Sequence, residues 1–411
     1  MVHFHGGAFR SSSGNEVDGS RLVKRTDVVA VSVNHRLNAF GYLSLDESFG
    51  AKYAHSGNVG MFDLEMALRW VRDNIANFGG DPNNVTILGP SGGGAKTFYA
   101  MAMPIFDGLF QHAIVIGGHD LWKRNSLASA REKSAAILAE LGIQPGDIAA
   151  LQAVPMDDLI AAHDKVFEEF GPDLSAGPRP WVNYDLLLPA IDGTSLPEYP
   201  MDAIAHGASA DVDLMLGTTK MEHWLNVCGQ PQAPRCSPED WGWLTRKQLT
   251  DILDPYLGHR TNRIVAAYER EMPGASPSSL LHQIITDRDW HLPHLQLAEA
   301  KATGGGKPAY LWFVDVEVVN SGALLESFRL KYALGVVPNS VYLTFTGAAV
   351  GQFTTAFTSF AKNGDPNHKD MNMPKWHPYT QKKTAMMIFG LETHEVDGPL
   401  STLSIWRRHG P

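Results

Sequence analysis

The sequence predicts an α/β fold built on a mostly parallel sheet flanked by helices, and three observations carry that expectation. Strand-like runs recur along the chain: "MVHFH", "DVVAVSVNHR", "NVTILG", "HAIVIGG", "DLMLG" and "AYLWFVDVEV". Most are separated by segments with helical spacing, an alternation that packs helices onto the faces of a parallel sheet. Of the 411 residues, 44% are hydrophobic and 19% charged, which suits a substantial buried core. One domain spanning residues 1–411 is expected.

The clearest helix is "DLEMALRWVRDNIANFGGDP". Leu64, Ala67, Leu68, Val71, Ile75 and Phe78 fall on one face of it, while Arg69, Arg72 and Asp73 fall elsewhere. Gly79 and Gly80 supply its stop signal. From about 126 to about 180 the chain holds amphipathic stretches and no strand, then enters the Pro/Gly-rich "GPDLSAGPRP". This segment reads as a helical cap-like insertion over the sheet.

The formal net charge is −10, with no Lys/Arg run that would track a phosphate backbone, so nucleic acid is not an expected partner. Cys228 and Cys236 are the only cysteines and could close a small loop, but one pair is not a disulfide framework. No apolar stretch is long enough to span a bilayer, and "MVHFHGG" has no basic leader or signal-like apolar region; as written, a cytoplasmic location is expected. The histidines lack a His-x-x-x-His spacing, and neither a metal nor a cofactor is called for.

Chemistry concentrates at "VTILGPSGGG", where a strand runs into Gly89-Pro90-Ser91-Gly92-Gly93. A Gly-x-Ser-x-Gly turn between strand and helix is so sharp that side chains beside the serine would collide with both elements, and the serine projects at the C-terminal edge of the sheet as a candidate nucleophile. Taken alone, the same glycines could bind phosphate or cap the helix. "FHGGAF" adds small residues at the end of another strand, where the amides of Gly7 and Ala8, with that of Gly92, could receive a developing oxyanion. His5 reads as structural, bonding backbone within the loop.

With "VNHRLNAFGYLSL", "GNVGMFDLEMALRWVRDNIANFGGDPNNVTILGPSGGG", "AKNGDPN", "KWHPY" and "MMIF" in the same order, the whole chain resembles the type B carboxylesterases, the group that includes cholinesterases, bacterial esterases and non-catalytic neuroligin-like adhesion proteins. The resemblance implies an α/β-hydrolase fold and a Ser, Glu, His triad attacking a small-molecule ester. In "LGTTKMEHW" it places Glu222 at the acid position, with Met221 and His223 departing from the usual neighbours.

Three departures qualify what the resemblance implies. The stretch that should carry the histidine reads "SGALLESFRLKYALG", which puts Glu326 there, or Leu325 if the leading "GAL" is matched instead. A serine without a base loses several orders of magnitude in rate, so weak turnover is expected. His119, His223 or Glu326 are candidate substitute bases, the carboxylate only if burial raises its pKa. Two rival readings follow: a catalytically inactive binding or interaction protein, and a pocket used for a non-hydrolytic reaction on a small molecule.

Pro90 stands where relatives carry Glu or Gln, removing a backbone donor before the serine. The chain also begins inside the oxyanion strand, so the edge strands that relatives place beyond "DVVAVSVNHR" are absent from the sequence as written. A valine-rich strand edge at residues 28–33 without a neighbour should recruit another strand, which predicts self-association.

Overall fold

The computed structural model describes residues 1–118, 121, 123–170, 187–220, 222, 244–315, 347–369, 372–390 and 392–409. Eight strands form its sheet: β1 (Val2–Phe4), β2 (Val31–Val33), β3 (Thr86–Pro90), β4 (His112–Ile116), β5 (Asp213–Thr219), β6 (Ala309–Val314), β7 (Ala385–Phe389) and β8 (His394–Asp397). Their order across the sheet is β2-β1-β3-β4-β5-β6-β7-β8. Every pairing is parallel except β7 with β8. This is the α/β-hydrolase arrangement.

The central strands β3, β4 and β6 are buried along their whole length, as expected for parallel strands covered on both faces. Helices used below are α1 (Val59–Asn74), α2 (Gly92–Ala100), α3 (Leu127–Glu140), α4 (Ile148–Ala153), α5 (Met156–Phe170), α6 (Pro277–Thr286), α7 (Leu292–Gly304), α8 (Gly347–Asn363) and α9 (Leu403–His409). One face of the sheet carries an aromatic layer in which Phe353, Phe357 and Phe360 of α8 pack with Trp312 and Trp376. The other carries the larger core, to which α1 contributes Leu64, Leu68 and Val71.

Three expectations are corrected. Phe78 is not on the buried face of α1 but 62% exposed, because residues 75–78 wind as a 3₁₀ turn and lose the phase of the α-helix. Gly79 ends that turn at φ 83, as its stop signal predicted. Strands β7 and β8 were not read from the sequence: "AMMIF" is methionine-rich, and "HEVD" is a polar antiparallel edge with no alternation.

The third correction is "DVVAVSVNHR", which is a strand only over Val31–Val33. Its partner β1 pairs with it only from Val2 opposite Val31 to Phe4 opposite Val33. The outer flank is partly occupied, since Ser32 Oγ donates to the Gly14 carbonyl at 2.9 Å and the Gly14 amide to Asn34 Oδ1 at 2.8 Å. The edge is therefore shorter and more shielded than the run of valines suggested.

Between β4 and β5 stand α3, α4 and α5, the described part of the insertion expected at about 126–180. Helix α5 reaches the loop after β1: Arg10 donates to Asp164 at 2.8 Å and its guanidinium lies 4.7 Å from the Phe167 ring centroid. Among the described residues no helix is long and apolar enough to cross a membrane.

Candidate active site

Ser91 follows β3 directly and adopts φ 53, ψ −123, backbone that a non-glycine residue occupies only when its surroundings enforce it. The surroundings do so through bare glycines. A Cβ on Gly89 would strike the Gly93 backbone, one on Gly93 the Phe4 carbonyl, and one on Gly92 the backbone of Ala8. Pro90 is accommodated because the Ser91 amide donates to the Ile116 carbonyl of β4 at 2.9 Å. Successive strand amides point to opposite sides, so the donor missing at Pro90 faces β1, whose pairing with β3 ends at Leu88.

The contact of Gly92 with Ala8 sets the start of α2 against the loop after β1. Gly7 and Ala8 hold φ 74 and 59. Among the described residues their amides have no acceptor, and the Gly92 amide opens α2, where helix donors have no intrahelical partner. His5 is structural as read, its Nδ1–H donating to the Gly6 carbonyl at 2.9 Å. Burial is the first cause that holds its pKa down at about 4.

Glu222 lies past the end of β5, across β4 from Ser91. It is buried, its Oε1 accepts from the Thr219 amide at 2.7 Å, and a Cβ on Gly117 would come within 2.9 Å of the same oxygen. Burial raises its pKa, opposed by the Thr219 hydrogen bond and by the charge of His291. Adjacent strands stand roughly 5 Å apart, so β3 and β5 are separated by about twice that. Among the described residues no hydrogen bond joins Ser91 Oγ to the carboxylate.

The sequence from residue 1 to 405 matches the model of the carboxylesterase family. The chain belongs to that family. Para-nitrobenzyl esterase of Bacillus subtilis is 32% identical over 392 residues, covering 93% of this chain and 74% of that protein. Phenmedipham hydrolase of Pseudarthrobacter oxydans is 27% identical over 410 residues, covering 96% and 76%. The crystal structure of the Geobacillus stearothermophilus carboxylesterase EST55 at pH 6.2 superposes with a TM-score of 0.78 at 31% identity, covering 99% of this chain and 80% of that one. This carboxylesterase-family chain is thereby of the serine ester hydrolase class.

In this carboxylesterase homologue the residues weighed as bases, His119, His223 and Glu326, lie outside the described residues, as do Leu325, Cys228 and Cys236. Two histidines that sequence reasoning passed over lie on this side of the sheet, His291 within electrostatic reach of Glu222 and His294 against the Gly118 amide. Between α6 and α7 the helix widens into a π-turn, Asp287–His291, which brings both ends of that segment together. His291 Nδ1 lies 2.6 Å from Asp287 Oδ1 and its Nε2 2.9 Å from the Thr219 carbonyl.

A carbonyl can only accept, so Nε2–H donates to Thr219, while Nδ1 faces Asp287 Oδ1, which also accepts from Gln283 at 2.9 Å as Oδ2 accepts from Tyr268 at 2.7 Å. Burial would lower the pKa of His291, but the Asp287 hydrogen bond and charge, the Thr219 carbonyl and the charge of Glu222 together outweigh it and the net shift is upward. Tyr268 in turn accepts from Trp406 of α9 at 2.7 Å. A hydrogen-bonded chain thus runs from α9 to the loop that carries Glu222.

His294 is different: Nδ1–H donates to the Trp290 carbonyl at 2.7 Å and Nε2 accepts from the Gly118 amide at 3.2 Å. Burial holds its pKa at about 3. Neither His291 nor His294 has a nitrogen left to accept a proton from Ser91. The signal for both was a cluster of polar residues, "TDRDWHLPH", inside an otherwise apolar helical stretch.

Proposed function

We propose that this chain hydrolyses small or medium uncharged carboxylic esters through an acyl-enzyme on Ser91. Ser91 Oγ attacks the ester carbonyl, and the amides of Gly7, Ala8 and Gly92 receive the negative oxygen. The C–O bond to the alcohol then breaks as the alcohol takes the proton that Ser91 Oγ gave up, and water then adds to the acyl carbonyl, releasing the acid and returning a proton to Ser91 Oγ. Glu222 is the acid of the triad, oriented by the Thr219 amide. The observation that carries this reading is the backbone of Ser91 at φ 53, with Gly92 packed against Ala8. Strain of that kind places a hydroxyl beside amides without acceptors, where acyl transfer needs it. Helices α3, α4 and α5 serve as the cap over the site, with α5 tied to the loop by Arg10 and Asp164.

Turnover is slow in this proposal, since Glu326 occupies the position that the family resemblance gives to histidine. Glu326→His should raise cleavage of a para-nitrobenzyl or p-nitrophenyl ester by at least about tenfold, a modest share of what general base catalysis supplies. Leu325→His is the variant for the shifted alignment. If neither accelerates the reaction while His119→Ala or His223→Ala stops it, a displaced histidine is the base. A second reading, a family member that binds a ligand without turning it over, is favoured by Glu326 and by Pro90. It predicts no gain from either histidine.

Self-association through the edge strand at Val31–Val33 belongs with the proposal. Val31→Lys should shift a wild-type oligomer toward monomer in sedimentation, and a wild-type protein that is monomeric from the outset removes the idea.

A further inference from the structure

Helix α2 carries a lysine where a helix of small and apolar residues gives no reason for one: "GGGAKTFYA". Lys96 is fully buried. Its Nζ donates to the His5 carbonyl at 2.9 Å and to the Ala8 carbonyl at 2.8 Å, with the Gly6 carbonyl at 3.5 Å, and it lies 5.4 Å from the Phe9 ring centroid. Transferring an ammonium out of water is costly, and a residue held this way indicates that the loop's carbonyls form a built site for it.

The carbonyls matter because each peptide carries its N–H on the side opposite its oxygen. The Gly6 carbonyl, whose peptide holds the Gly7 N–H, is taken by His5 Nδ1. The Gly7 carbonyl, whose peptide holds the Ala8 N–H, accepts from the Arg10 and Ser11 amides at 3.2 and 3.0 Å. Lys96 takes the carbonyls on either side of this pair, those of His5 and Ala8, and also reaches the Gly6 carbonyl, whose peptide carries the Gly7 N–H. Loop oxygens are thus drawn away from the site, and the amides of Gly7 and Ala8 are left without acceptors among the described residues.

The surrounding rings stay neutral around that charge. His5 stacks on His35 at 4.6 Å, and burial first, then the Lys96 charge, pull the pKa of His35 down; burial, His5 and Lys96 together hold His3 at about 3. The cation of the cluster is the lysine.

We propose that Lys96 is a positioning residue that holds the oxyanion loop with its peptides oriented for catalysis, keeping the Gly7 and Ala8 amides turned toward the substrate before it arrives. The inference rests on the assignment of those amides as oxyanion donors. It also supplies a reason for the buried charge, since a preorganised hole spares the reaction the cost of turning dipoles in the transition state.

The test compares wild type with Lys96→Met, which keeps the stem and removes the charge, and Lys96→Arg, which restores it. In p-nitrophenyl ester hydrolysis Lys96→Met should lower kcat about a hundredfold with KM changed less than threefold, the cost of removing one oxyanion donor. Lys96→Arg should recover part of that loss. A trifluoromethyl ketone, which forms the tetrahedral adduct, should bind weaker in proportion to the lost kcat/KM.

A crystal structure of Lys96→Met should show the peptide of Gly7 or Ala8 turned over. A folded Lys96→Met protein with kcat within threefold of wild type, or with the loop unchanged, overturns the proposal. A wild-type protein with no Ser91-dependent hydrolysis fails the esterase reading instead, and the loop geometry of the variant still decides the role of Lys96. If Lys96→Met does not fold, the wild-type adduct decides: an ammonium that has left the His5 and Ala8 carbonyls in that complex counts against it.

Discussion

Ser91→Ala should bring p-nitrophenyl ester cleavage down to the uncatalysed background and abolish labelling by a fluorophosphonate probe. The reason lies in how a triad fails: its members act as a unit, and without the nucleophile the oxyanion donors and pocket retain only a small residual rate. The strained backbone at φ 53 is kept by the glycines and not by the hydroxyl, so Ser91→Ala should leave melting behaviour nearly unchanged. Mass spectrometry of the labelled wild-type protein should place the phosphonate on the peptide containing Ser91. The same unit logic predicts that Glu326→His gains nothing when Ser91 is already alanine. Equal hydrolysis by wild type and Ser91→Ala would remove Ser91 from the mechanism.

Gly93→Ala should destabilise the fold by about 3 kcal/mol, at the upper end of what overpacking by one methyl group costs. A Cβ at this position falls inside the Phe4 carbonyl oxygen of β1, backbone against backbone, where no side chain can rotate away. Strand β1 must then part from α2, which also separates Ser91 from Gly7 and Ala8, so activity should fall with stability. Gly351 in α8 is the control: among the described residues nothing lies within 4 Å of its Cβ position, and Gly351→Ala should be neutral or stabilising by up to about 1 kcal/mol. Chemical denaturation of the two variants beside wild type measures both effects. A Gly93→Ala protein as stable as wild type would show that helix and strand are not as tightly apposed as their contacts indicate.

The parallel sheet was legible because its central strands are buried on both faces and so must be continuous apolar runs; "VTILG" and "HAIVIGG" could be little else. The same holds for the elbow. Its glycines stand beside the serine in sequence, although only the approach of Gly89 to Gly93 is local and Gly92 and Gly93 are crowded by Ala8 and Phe4 of the loop and strand before it. The places of the loop "HGGAF" after β1 and of Glu222 after β5 were legible through family resemblance joined to their positions at strand ends.

Other features depended on partners distant in the chain. The extent of β2 is set by how far β1 pairs with it, and Phe78 turned outward because a 3₁₀ turn broke the phase of α1. The pKa of His291 is raised because Asp287, Thr219 and Glu222 meet around it, bringing a π-turn together with the end of β5 and the residues just after it. Lys96 is an ordinary cation in the sequence, and a fixed charge beneath the oxyanion loop once α2 and β1 are packed together. Sequence alone determined where backbone must bend, run extended or be buried, since those demands fall on neighbouring residues. Charge state and orientation at the site were decided by tertiary structure, because a buried group takes its proton and its direction from whatever the fold sets against it.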